Sequence, residues 1–78
     1  MTDRYLKDIQ RDYPEATAWN IADNGHLIVT MSRLASIRDV WVGNRRYTLC
    51  AVDPGVSPKH RGELFCRFWP VTIIREED

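Results

Sequence analysis

Apolar positions along the chain switch from a helical period to a strand period near residue 14. Tyr5, Leu6, Ile9 and Tyr13 recur at helical spacing, while Arg4, Lys7, Asp8, Arg11 and Asp12 take the opposite face. Thr2 or Asp3 is positioned to cap this helix. Pro14 ends it, because proline disfavours helical geometry at the residue before it.

The period then falls to two. The stretch TAWNIADNGHLIVTMS predicts a hairpin with two competing registers. A two-residue Asn24-Gly25 loop pairs Ile21 with Ile28. A three-residue Asp23-Asn24-Gly25 loop pairs Ala22 with His26 and gathers Trp19, Ile21, Leu27, Val29 and Met31 on one face. A slip of one residue exchanges the faces, so the cleaner apolar face selects the three-residue loop. Gly25 supplies the left-handed residue that such a loop requires. Residues 32–38, SRLASIR, are read as a connector.

A second hairpin is written in DVWVGNRRYTLCAVD. Gly43-Asn44 is a favoured two-residue loop, with glycine first in a type II′ turn. Val42 then faces Arg45, Trp41 faces Arg46, Val40 faces Tyr47 and Asp39 faces Thr48. Val40, Val42, Tyr47, Leu49 and Ala51 are expected on the core face. Trp41, Arg46, Asp39 and Thr48 are expected on the other, where Trp41 is close enough to Arg46 for a cation–π contact.

Residues 53–63 form the longest stretch without a period. Asp53-Pro54-Gly55 predicts a type II turn with positive φ at the glycine. Pro58 and Gly62 are expected to prevent regular structure after it. The last strand, LFCRFWPVTII, is apolar on both faces, which predicts a central strand or one covered by the helix. Pro70 cannot donate a ladder hydrogen bond, so a bulge or local edge is expected there. The tail REED is expected to be solvated. These elements predict an α+β fold: an N-terminal helix packed on an antiparallel sheet of four or five strands, in one domain over residues 1–78.

Composition narrows the function. At 78 residues the chain holds one small core, burying about 60% of its unfolded surface. A core of that size gives about 3–5 kcal/mol of stability. The first fifteen residues are charged and lack the apolar region of a secretory signal, and no apolar run is long enough to span a membrane. A cytoplasmic protein is expected. Net charge is zero but unevenly spread, at −2 over residues 1–31, +4 over residues 32–67 and −2 over residues 68–78.

The chemistry-bearing residues are few. Cys50 and Cys66 are read as buried free thiols. His26, Cys50, His60 and Cys66 lack the paired spacing of a zinc site, so no metal or cofactor is expected. A nucleophilic site would need Cys66 and His60 to converge with a third orienting group, and the expectation is no enzyme. Trp41, Arg45, Arg46, Lys59, His60 and Arg61 are the candidate partner-binding residues, since interface anchors are enriched in tryptophan, tyrosine and arginine. The expected function is a protein-interaction module that sterically blocks a larger protein or ribonucleoprotein complex. Small size and the lack of motifs suit a phage or mobile-element inhibitor of the anti-CRISPR class. The alternative is a nucleic-acid-binding protein using the same basic and aromatic residues, although a pI of 6.7 is low for one.

Overall fold

The computed structural model describes residues 4–71; the expected caps at Thr2 and Asp3 and the REED tail lie outside them. Helix α1 spans Arg4–Asp12 and five strands follow: β1 Ala16–Ile21, β2 Leu27–Met31, β3 Val40–Val42, β4 Arg45–Pro54 and β5 Leu64–Pro70. All pairings are antiparallel, in the order β1-β2-β5-β4-β3. The fold is α+β, with the sheet curled as a half-barrel. Among the described residues no helix is long and apolar enough to cross a membrane.

Both hairpins form in the predicted registers. Ile21 pairs with Leu27, Ala22 N–H donates to the His26 carbonyl, and Gly25 takes φ +88°. In the second hairpin Val42 pairs with Arg45, and Gly43 takes φ +64° while Asn44 does not enter positive φ, as a type II′ turn requires. An isolated hairpin is marginal in water. Strand β5 joins the two by pairing with β2 on one side and β4 on the other. The two prolines sit where this sheet has no neighbour to bond. Pro54 lies past the end of β3, and Pro70 lies past the last β2 pair, Leu27 with Phe68.

The sheet bends at two irregularities, between Ala16 and Ala18 and between Leu49 and Ala51. An extra residue bends the strand and increases local twist, which helps the sheet wrap. Helix α1 lies inside the curve and touches both edge strands, β1 and β3. Ile9 and Tyr13 from the helix meet Ala16, Leu27, Val29, Met31, Val40, Tyr47, Cys66 and Phe68 in one buried core. Tyr13 also fastens the connector: its hydroxyl donates to the Arg38 carbonyl at 2.6 Å and accepts from Arg38 N–H at 2.5 Å.

Three expectations are corrected. The bulge at Cys50 carries Ala51 away from the core face and opposite Arg67, and it leaves Cys50 exposed while Cys66 is buried. Gly55 does not adopt positive φ; β4 runs through Pro54, and the glycine is needed for space. A Cβ there would overlap the His60 carbonyl oxygen and lie 2.8 Å from His60 Cβ. A 3₁₀ turn, Pro58–His60, forms where no regular structure was expected. Strand β5 is central, as its apolar sequence predicts. Cys66 and Phe68 point into the core, whereas Trp69 is exposed on a face that the helix does not cover.

Candidate outer-face interface

Because side chains alternate along each strand, the pairing registers define the outer face row by row. One row carries Ala18, Thr30, Phe65 and Asp53; the next carries Asn20, Ile28, Arg67 and Ala51. Trp69 and Thr48 follow, and Trp41 paired with Arg46 closes that end. The first two rows border a groove of ≈ 480 Å³ lined by Ala18, Trp19, Asn20, Ile28, Thr30, Asp53, Phe65 and Arg67.

Trp41 is 44% exposed, as the hairpin register predicts, but its expected cation–π contact with Arg46 is not formed among the described residues. Asp39 takes the guanidinium instead: Arg46 Nε lies 3.4 Å from Asp39 Oδ2. This is an ion pair without hydrogen-bond alignment, since the same buried Nε has no hydrogen-bond partner. A carboxylate on the adjacent position competes successfully with an indole for a cation, which leaves the indole free. Trp69 is 51% exposed and meets His26 edge-on, with ring centroids 5.9 Å apart.

The candidate residues occupy two ends of this face. Trp41 and Arg46 lie at the Gly43 turn, and Arg45 is exposed beside them with its side chain on the opposite side of the strand from Arg46. Lys59, His60 and Arg61 follow the far end of β4, about 25 Å away at roughly 3.3 Å per residue. His60 reaches back to the outer face, its ring edge-on to Phe65 at 5.1 Å and its Nδ1 2.8 Å from Glu63 Oε1. The basic groups therefore do not form one patch. They bracket a centre in which Arg46 is paired with Asp39, while Arg67 and Asp53 share the face without forming an ion pair.

Catalytic geometry does not assemble from the predicted pieces. His60 stands on the outer face while Cys66 is sealed in the core, and burial pushes the Cys66 thiol above its ordinary value, away from the reactive thiolate. Among the described residues no group of three or more His, Cys, Asp or Glu side chains is placed to hold a metal. Sequence reasoning missed Phe65, Arg67 and Trp69. Their signal was the alternation F-x-R-x-W along one strand, which becomes a face only once β5 has a neighbour on each side. Comparison with protein-family models, curated proteins and solved structures finds no match to this chain.

Proposed function

We propose that this chain is a non-enzymatic protein-interaction module that docks the outer face of its sheet onto a larger partner. One observation carries the reading: Trp41 and Trp69 are each about half exposed on a sheet face that no element of the described chain covers. Tryptophan and arginine are among the side chains that most often anchor protein interfaces. The mode of action is steric occupation of the partner's surface. The narrower expectation of a phage-encoded or anti-CRISPR-like inhibitor has no residue of the structure speaking for it.

A second reading, nucleic-acid contact, draws support from the Phe65, Arg67, Trp69 alternation, because stacking platforms combine aromatic and cationic side chains on one surface. The Arg46–Asp39 ion pair on the same face weighs against it. The test is capture of the native partner by the full chain and by a Trp41→Ala/Trp69→Ala variant, with nuclease and at low and high salt. Loss of capture in the variant, with wild-type capture resistant to nuclease and salt, is the expected result. Retention by the variant overturns the proposal. A steep loss of wild-type capture with salt, set by the number of phosphate contacts, transfers the face to nucleic acid.

A further inference from the structure

The groove in the middle of the outer face contains an arginine whose charge is unanswered. Arg67 is half-buried, opposite Ile28 on one side and Ala51 on the other, and has no ion pair or side-chain hydrogen bond among the described residues. Its nearest opposite charge by register is Asp53, a diagonal neighbour that is exposed and not within ion-pair distance of it. Ala18, Trp19, Ile28 and Phe65 give the groove its apolar lining, beside the polar Asn20 and Thr30 and the carboxylate of Asp53. A volume of ≈ 480 Å³ falls within the usual range for a small-ligand site, about 300–1,000 Å³, and such sites pair an apolar wall with a few polar anchors.

The geometry points to a specificity pocket on the docking face: the groove takes an apolar side chain of the protein partner together with an adjacent carboxylate, which binds the Arg67 guanidinium. This inference rests on the docking reading given above and names the chemistry that the face selects. Charge complementarity chooses the occupant. A guanidinium matches a carboxylate with two parallel hydrogen bonds, and partial burial strengthens that pair relative to water. A neutral apolar segment would fill the walls and leave Arg67 desolvated without a counter-ion, which is costly. A basic segment would be repelled.

The pocket can be tested without the partner in hand. The probes are N-acetyl-phenylalanine and its uncharged amide, titrated into the full chain while backbone amide resonances are followed. The acid is expected to give saturable shifts at Ile28, Phe65 and Arg67, with the amide at least tenfold weaker. Arg67→Gln is expected to reduce the acid to the level of the amide. Ala51→Glu, which places a carboxylate directly across from Arg67, is expected to do the same while leaving resonances of the core unchanged. Equal response to acid and amide, or no saturable shift at these three residues, overturns the pocket. Shifts of the same amides on changing Glu76, Glu77 and Asp78 to their amides, with no probe present, overturn it too, since the chain's own end would then supply the carboxylate. These failures are separable from failure of the docking face, which is read by the Trp41→Ala/Trp69→Ala variant with the native partner.

Discussion

Phe68 and Trp69 are neighbours in the chain and have opposite fates. Phe68 is fully buried among the core residues, whereas Trp69, one residue on, is half exposed and meets His26 edge-on. The same contrast separates Val40 from Trp41 across the sheet. Alternation alone explains the geometry, since successive strand residues face opposite sides. It does not explain why the larger ring lies outside in both cases. The inner face is closed by α1, which spans the curve from β1 to β3 and leaves room for one layer of side chains. Among the described residues the outer face has no such layer. The inner residues account for folding, and the outer ones are left available for another molecule.

Substitutions on the two faces should therefore have opposite signatures. The largest effect belongs to Phe68→Ala, expected to cost about 3–5 kcal/mol in urea or thermal unfolding. That is comparable with the whole stability of so small a domain, so the variant should be largely unfolded. A cost below about 1 kcal/mol would break the distinction between the faces. Gly55→Ala should come next, at about 1–3 kcal/mol, because its methyl would meet the His60 backbone where the loop folds back on β4. Wild-type stability in that variant would show that the loop has room to move.

Alkaline pH probes the inner face without a mutation. Burial raises the Cys66 thiol above 9.0 and, as its leading cause, the Tyr13 phenol above 10.0. The neutral forms are the ones the fold prefers, so their contribution is complete below the ordinary values. It is lost as pH rises through the higher folded-state values, because the unfolded chain gives up these protons first. Stability measured from pH 8 to 11 should fall, and Cys66→Ala should remove the lower-pH part of that fall. A flat profile would contradict the burial of both groups.

The outer face should be nearly silent in the same assays. Trp69→Ala and Trp41→Ala are each expected to change stability by about 1 kcal/mol or less, the range of surface substitutions that lose one edge-on ring contact or none. A loss of several kcal/mol would place the ring in the core. The smallest effect is chemical: Cys50, displaced outward by the bulge, should react with a thiol reagent in the native state, leaving Cys66 to react only on unfolding. Equal protection of both thiols would remove the bulge.

Much of this contrast was legible in the sequence where local chemistry decides it. The three-residue Asp23-Asn24-Gly25 loop, chosen for its cleaner apolar face, and the Gly43-Asn44 loop set the two hairpin registers, and the register at Gly43 was enough to turn Trp41 outward. What failed was non-local. No local signal marks Cys50 as the extra residue of a bulge, since the bulge exists only in the pairing of β4 with β5. The predicted register already put Asp39 and Trp41 on one face with Arg46, but which of the two takes the guanidinium depends on side-chain placement that the string does not carry. Phe65, Arg67 and Trp69 looked like one side of a two-faced apolar strand because the sequence does not say that the helix covers only one side. The groove exists only after four strands, β1, β2, β4 and β5, have assembled.

The claim that the uncovered face is the docking surface has one direct test. A photo-reactive phenylalanine analogue is placed at Thr48, between Trp69 and the Trp41 end of the outer face, and separately at Lys7 on the exposed side of α1. Each full-length variant is irradiated in an extract of its native cells after nuclease treatment. The account predicts one discrete protein adduct from position 48, lost on adding Trp69→Ala, and none of that mass from position 7. The same adduct from position 7, or an adduct at position 48 that persists without Trp69, would contradict it.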